Sequence, residues 1–188
     1  MPEIYVIGGC NGSGKTTFAL NVFPNFSNIE FVNADIIAAQ LNPDNSELVA
    51  IKASRIMLKR LKILAQRKVD FAFETTLAAR SFANFLRQCQ VEGYQVNLIY
   101  VWLNSVELAI SRVALRVASG GHNIPEDVIR RRYNRGRKNF LELYINLADR
   151  WQVYDNSSNN CLIAFSNNHN LTVNIIETDI WEQITNYE

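Results

Sequence analysis

The segment at residues 9–16 constrains the fold of this chain more than any other part of the sequence. It reads Gly-Cys-Asn-Gly-Ser-Gly-Lys-Thr and fits the pattern G-x-x-x-x-G-K-T. Residues 4–7 before it are apolar and predict a short buried strand, and residues 18–20 after it predict the start of a helix. A strand, a glycine-rich loop and a helix in this order are the setting that a phosphate-binding loop (P-loop) requires.

The chemistry of such a loop follows from its residue types. Glycines let the backbone curl so that successive N–H groups point at a phosphate, and the following helix adds its positive end. Lys15 would reach the β- and γ-phosphates of ATP, and the Thr16 hydroxyl would hold Mg²⁺. The alternative is a glycine-rich turn that only resembles a P-loop. The predicted nucleotide-binding residues of the loop are Gly9, Cys10, Asn11, Gly12, Ser13, Gly14, Lys15, Thr16 and Thr17, with the Cys10 thiol itself assigned no role.

Composition limits the class of protein. The 188 residues are 48% hydrophobic and 20% charged, which predicts one folded domain over residues 1–188. A formal net charge of +1 gives no overall argument for a nucleic-acid or membrane partner. The three cysteines are far apart and lack metal-ligand spacing, which indicates free thiols in a reducing compartment. We see no signal peptide and no apolar run of membrane-helix length, so we expect a cytoplasmic protein.

Strand-like and helix-like segments alternate along the chain. This alternation predicts a three-layer α/β fold of the P-loop type, with a mainly parallel sheet, helices on both faces and a C-terminal antiparallel hairpin. Further strands are predicted at residues 29–33, 69–73, 95–103 and 151–154, helices at 15–23, 47–68, 81–93, 105–118 and 179–185, and hairpin arms at 161–165 and 171–176.

Two carboxylates follow predicted strands, where ligands bind in open α/β sheets. Asp35 would lie beside the P-loop if its strand is next to the first one, and it could then accept the proton of a substrate hydroxyl. The alternative is that Asp35 caps the helix at 36–41. Glu74 is placed to bind magnesium or substrate, or else to pair with an arginine. Thr75 and Thr76 offer hydroxyls to a substrate, or they bond to backbone.

A glycine-rich loop followed by a basic helix predicts a lid around residues 119–138 that closes on ATP. The helix carries Arg130, Arg131, Arg132, Arg135, Arg137 and Lys138. Because successive helical residues point in different directions, we expect one or two of them on phosphate and the others in ion pairs or solvent. Arg112 and Arg116, one turn apart before the loop, are further candidates. His122 could contact phosphate or base, or simply form the turn.

Four blocks of sequence together resemble the zeta-toxin family: residues 9–17, 33–35, 73–76 and 120–133. The resemblance covers roughly residues 3–156. It implies a small-molecule kinase that uses ATP and Mg²⁺, and toxin members phosphorylate the 3′-hydroxyl of UDP-N-acetylglucosamine. It further implies that Lys15 and Thr16 bind ATP and Mg²⁺, that Asp35 is the base, that Glu74 is a substrate or metal ligand, and that Arg112 or Arg116 clamps phosphates together with lid residues such as Arg131. An antitoxin protein is a candidate partner.

Two other functions stay open at this point. A nucleoside or polynucleotide 5′-hydroxyl kinase uses the same loop and aspartate, although the basic residues here lack the interleaved aromatics that favour nucleic acid. A nucleotide-binding switch without kinase activity is the second alternative, although the Asn-Lys-x-Asp motif that reads guanine is absent from the sequence.

Overall fold

The computed structural model describes residues 1–22, 29–42, 46–121 and 123–186. These residues contain a seven-stranded sheet in the order β2-β3-β1-β4-β5-β6-β7. Strands β1 to β5 run parallel, and β6 and β7 are antiparallel to their neighbours. The strands are β1 Glu3–Gly8, β2 Glu30–Val32, β3 Phe71–Thr75, β4 Gln95–Trp102, β5 Arg150–Asp155, β6 Cys161–Ser166 and β7 Asn174–Ile175. The predicted α/β fold with a mainly parallel sheet is confirmed.

The helices lie on both faces of this sheet and across the carboxyl ends of its strands. The main apolar core packs one face of the sheet against α3, α4 and the segment after α6, while Phe18 of α1 packs on the other face. The helices are α1 Lys15–Val22, α2 Ala34–Leu41, α3 Ala50–Gln66, α4 Ser81–Val91, α5 Val106–Ala118, α6 Glu126–Asn139, α7 Ile145–Leu147 and α8 Thr178–Thr185, with a 3-10 turn at Ser46–Val49 and a π-helical turn at Phe140–Tyr144.

The structure corrects two details of the sequence prediction and answers one question that it left open. The long helix predicted at 47–68 is a 3-10 turn followed by α3. The second hairpin arm predicted at 171–176 is reduced to β7, because His169 and Asn170 form a turn with positive φ angles and the chain bends again at residues 171 and 172. Strand β2 pairs with β3 and is therefore not the neighbour of β1. The predicted end of α1 at residue 23 and the role considered for His122 lie outside the described residues.

Strand register places Glu74 beside the P-loop. Ile7 pairs with Glu74 and Gly8 with Thr75, so the carboxyl end of β3 lies next to the point where β1 turns into the loop. Asp35 reaches the same region from α2, one strand further away. The pairing of β1 with β3 thus brings together residues that are 67 positions apart in sequence.

Helix α6 packs closely against the residues that follow the carboxyl ends of β3 and β4. The Tyr133 hydroxyl donates to the Leu103 carbonyl at 2.6 Å, and the Asn139 amide donates to the Leu77 carbonyl at 2.8 Å. A Cβ atom on Gly136 would lie 2.3 Å from the Thr76 carbonyl oxygen, which is far inside contact distance. Only a glycine lets α6 approach the end of β3 this closely.

We expect Gly136→Ala to destabilise the protein although alanine favours helices. The gain in helix propensity is about 1 kcal/mol, whereas forcing a methyl group against a backbone carbonyl costs about 1–3 kcal/mol. Urea unfolding should therefore show a net loss in the free energy of unfolding. Asn134→Ala, an exposed change on the same helix, is the matched control and should be neutral or stabilising. A Gly136→Ala protein as stable as the control would contradict the packing described here.

Candidate active site

A cleft of about 340 Å³ opens at the carboxyl ends of β1 and β3. One end is formed by the P-loop, one wall by α6, and the far wall by α2, α3 and the start of α4. The lining residues are Asn11, Lys15, Asn33, Ala34, Asp35, Ala38, Ala50, Ser54, Met57, Glu74, Thr75, Thr76, Ala78, Ala79, Phe82, Arg131, Arg132 and Arg135.

The P-loop has the conformation that a phosphate cradle needs. Gly12 and Gly14 adopt φ angles of 78° and 83°, in the left-handed region that favours glycine. A Cβ atom on Gly14 would lie 2.6 Å from the Asn156 amide nitrogen. That amide donates to the Ser13 carbonyl at 2.8 Å and ties the loop to the end of β5. The Phe18 N–H donates to the Gly14 carbonyl at 2.8 Å, so α1 begins directly at the loop.

Lys15, Thr16, Asn33 and Glu74 form one polar network at the base of the cleft. The Lys15 Nζ atom donates to the Cys10 carbonyl at 2.7 Å and lies 3.5 Å from Glu74 Oε1. Glu74 Oε2 accepts from the Thr16 hydroxyl at 2.7 Å and from the Asn33 amide at 2.8 Å. The lysine is only 5% exposed, so Glu74 is its counter-ion in a largely desolvated position.

The Cys10 thiol takes no part in this network. Burial raises its pKa to about 11, although the nearby Lys15 and Arg112 charges act in the opposite direction. A thiol in this state is protonated at neutral pH and is a poor nucleophile. Cys10 thus contributes its carbonyl oxygen, which holds Lys15.

The oxygen atoms around Thr16 are suitable ligands for Mg²⁺. The ion binds oxygen ligands, typically one or two carboxylates together with phosphates and water. The Thr16 hydroxyl and the Glu74 carboxylate supply such oxygens beside the loop. Within the described part of the chain, no group of three or more His, Cys, Asp or Glu side chains forms a separate metal site. The residues present thus fit a magnesium ion that is shared between protein and phosphate.

Asn33, rather than Asp35, caps helix α2. Its side-chain oxygen accepts from the Asp35 N–H at 2.7 Å and the Ile36 N–H at 3.3 Å. The alternative in which Asp35 is the cap is therefore wrong, and its exposed carboxylate in the first helical turn lines the cleft. Asn33 has a second role, because its amide nitrogen also donates a hydrogen bond to the Glu74 carboxylate. Sequence analysis missed this role, although an Asn between a strand and a helix is itself a capping signal.

We expect Asn33→Ala to affect stability and the site together. Removing the cap costs about 1 kcal/mol of unfolding free energy, and loss of the amide donor leaves Glu74 less firmly placed. Asn33→Asp is the informative comparison, because it keeps the cap but places a second carboxylate against Glu74. Urea unfolding should give Asn33→Ala as less stable than wild type, and ATP affinity measured with Mg²⁺ should fall in both variants. Unchanged stability in Asn33→Ala would contradict the capping role.

The basic residues of α6 separate into two groups. Arg131, Arg132 and Arg135 line the cleft, and the described residues provide no ion pair for Arg131 or Arg135. Arg132 is half-buried, its guanidinium lies 3.4 Å from the Asn11 side-chain oxygen, and burial lowers its pKa while the Asp35 carboxylate acts in the opposite direction. The other three basic residues contact groups outside the cleft. Arg130 pairs with Glu107 and Glu126, Arg137 donates to backbone carbonyls of α8, and Lys138 pairs with Glu142.

Arg112 and Arg116 lie outside the cleft. The Arg112 guanidinium donates to the carbonyls of Asn156 and Ser157 at 2.8 and 3.0 Å. It thus braces the turn after β5 that also holds the P-loop through the Asn156 amide. Arg116 is exposed near the end of α5, and its backbone carbonyl accepts from the Gly121 N–H. No short motif predicts the Asn156 contact, which spans 143 residues.

The two threonines after Glu74, Thr75 and Thr76, differ in their contacts. The Thr75 hydroxyl accepts from the Leu77 N–H at 3.1 Å, which is the backbone role considered from the sequence. This bond holds Leu77 at a positive φ of 57°, with its side chain packed beneath Gly8. Thr76 lines the cleft, and its carbonyl lies against Gly136.

Comparison with known proteins decides the family. The sequence model described as "Zeta toxin" matches residues 1–168. The chain belongs to the zeta-toxin family. A protein of Haemophilus influenzae is 35% identical over 125 residues, which is 66% of this chain and 88% of its own length.

Solved structures support the fold of this zeta-toxin homologue. A chain of the AvrRxo1-ORF1–AvrRxo1-ORF2 complex with ATP gives a TM-score of 0.80 at 14% identity, and our chain is covered to 98% but spans only 64% of that chain. A structure of the PezAT chromosomal toxin–antitoxin system of Streptococcus pneumoniae gives 0.66 at 19% identity, covering all of this chain and 80% of that one. In the described ranges, the zeta-toxin homologue has no helix long and apolar enough to cross a membrane.

Proposed function

We propose that the protein transfers the γ-phosphate of ATP to a hydroxyl group of a small molecule. A nucleotide sugar such as UDP-N-acetylglucosamine is the first candidate, because toxin members of the family use it. The observation that carries the proposal is the convergence of Lys15, Glu74 and Asp35 on one cleft. A phosphate-binding end, a metal ligand and a candidate base thus face the same space.

The residues divide the reaction between them. Backbone N–H groups of the P-loop and the Lys15 ammonium would bind the ATP phosphates. Thr16 and Glu74 would hold Mg²⁺, which neutralises charge on the phosphate oxygens when bound. Arg131, Arg132 and Arg135 would stabilise the charge of the phosphoryl group in transit. Asp35 would accept the proton of the acceptor hydroxyl. Lys15 would exchange its present contacts with Cys10 and Glu74 for phosphate oxygens.

The remaining expectations belong to the same proposal. Residues 1–188 would form a single kinase domain, with residues 119–138 as the lid. The close packing of Gly136 against Thr76 implies that the part of α6 around Gly136 would stay in place when the lid moves. An antitoxin would be a partner of this cytoplasmic enzyme. Support for ATP and for an antitoxin comes from neighbours in fold that were solved with ATP or belong to a toxin–antitoxin system.

Mass spectrometry of the acceptor tests this proposal. The purified protein is incubated with Mg-ATP and a mixture of UDP-sugars, nucleosides and short oligonucleotides. The proposal predicts the mass of one phosphate added to a UDP-sugar. Phosphate added to an oligonucleotide instead would favour a polynucleotide kinase. A chain of the Pnkp1/Rnl/Hen1 RNA repair complex has a similar fold, with a TM-score of 0.61 at 19% identity. ADP formation with no phosphorylated acceptor would contradict the nucleotide-sugar assignment.

A further inference from the structure

The C-terminal helix α8 lies beyond the region that the family model matches, yet it packs into the main core. The match ends at residue 168, and α8 spans Thr178–Thr185. Ile184 is fully buried, and the Trp181 ring stacks on Trp151 of β5 with ring centres 5.6 Å apart and planes within 6°. The helix is therefore an integral part of this structure rather than a loose extension.

Arg137 connects α8 to α6. Its Nε atom donates to the Ile184 carbonyl at 2.9 Å, and Nη2 donates to the carbonyls of Gln183 and, at 3.4 Å, Asn186. The last carbonyls of a helix lack partners within the helix and carry partial negative charge, so a guanidinium satisfies and stabilises them. One side chain of α6 thus holds the carboxyl end of α8.

The arginine face of α6 is oriented by contacts on its other sides. Arg137 is two residues from Arg135, which places it about 200° around the helix from that side chain. Between these two directions, Tyr133 and Gly136 pack against the carboxyl ends of the strands. The contacts with the strand ends fix the distance of α6 from the sheet. Arg137 fixes the side of the helix that faces away from the cleft. Rotation of α6 about its own axis is therefore opposed by α8.

We propose that Arg137 is a positioning residue, which uses α8 as an anchor to set the direction in which Arg131, Arg132 and Arg135 face the bound phosphates. The inference rests on the proposed function, because it takes these three arginines to be phosphate ligands. Arg137 itself does not line the cleft. Its effect on nucleotide binding passes entirely through α6.

A double-mutant cycle on nucleotide affinity tests this role. Titration calorimetry with Mg-ATP alone measures the dissociation constant, so no acceptor is needed. Arg137→Met keeps the apolar stem but removes the donors, and it should weaken binding about tenfold. In an R131A/R132A/R135A background the same change should alter the dissociation constant less than about twofold, because the groups through which it acts are gone. Arg137→Lys should restore part of the loss.

Lys138→Met is the matched control. Lys138 is exposed on the same turn and pairs with Glu142 at 3.8 Å, so its loss should leave ATP affinity unchanged. Amide hydrogen exchange in both α8 and α6 should be faster in Arg137→Met than in wild type. If Arg137→Met does not fold, the same measurement is made on Arg137→Lys. Equal losses of affinity in the two backgrounds would overturn the proposal, as would a triple-arginine variant that binds ATP like wild type. Absence of transfer to any acceptor, with ATP binding intact, would count against the proposed function and not against this coupling.

Discussion

Asp35→Asn should lower the rate of phosphoryl transfer by about 10²–10⁴-fold, the usual contribution of a positioned general base. ATP affinity should stay within about threefold of wild type, because Asp35 is assigned to the acceptor hydroxyl and not to the ATP phosphates. The helix cap is kept, since Asn33 supplies it. Rates from single-turnover kinetics and dissociation constants from calorimetry separate these two effects.

Asp127→Asn is the matched control for Asp35→Asn. Asp127 is also an exposed acid in the first turn of a helix, but it does not line the cleft. Both changes remove a similar favourable interaction with a helix end, worth about 0.3–1 kcal/mol of stability. A difference in transfer rate between the two variants therefore reports chemistry rather than stability. Transfer that survives in Asp35→Asn at the wild-type rate would rule out Asp35 as the base.

Lys15→Met should abolish detectable transfer and weaken ATP binding, because the variant loses the ammonium group that is proposed to bind the ATP phosphates. Removing a comparable transition-state contact costs about 10²–10³-fold in rate, and the weaker ATP binding lowers transfer further, so the total loss should exceed that of Asp35→Asn. The methionine has similar length, and Glu74 keeps its bonds from Thr16 and Asn33, so we expect the protein to fold. Circular dichroism checks the fold, and calorimetry with Mg-ATP gives the affinity.

Lys15→Arg and Lys52→Met complete this experiment. Arginine keeps the charge but not the compact shape of the ammonium group, so it should rescue binding more than transfer. Lys52 is exposed on α3 and does not line the cleft, so Lys52→Met should behave like wild type. Full activity in a folded Lys15→Met protein would show that the cleft does not bind phosphate as described.

Local chemistry explains what the sequence could predict. The P-loop and Glu74 were placed correctly because a glycine pattern and an acid after an apolar strand depend on nearby residues alone. Helical geometry likewise indicated that the basic residues of α6 would point in different directions; three of them line the cleft, and the expectation of one or two on phosphate stays a prediction. These signals are short in range, and neighbouring side chains are enough to produce them.

Features that depend on distant residues were left open or missed in the sequence. Strand order is set by long-range pairing, so the position of β2 outside β3 could not be derived from its own residues. The contacts of Asn156 with Ser13 and of Arg137 with α8 join segments far apart in sequence. The alternative in which Asp35 caps α2 missed the actual cap by two positions, because both Asn33 and Asp35 have side chains that cap helices.

Transfer of labelled phosphate to a metabolite extract tests the central claim most directly. Wild type, Asp35→Asn and Lys15→Met are each incubated with Mg²⁺ and ATP labelled at the γ-phosphate, and the small molecules are separated afterwards. The account predicts a new labelled compound with wild type, a strongly reduced amount with Asp35→Asn and none with Lys15→Met. Label that appears only as inorganic phosphate, at equal rates in wild type and Asp35→Asn, would contradict it.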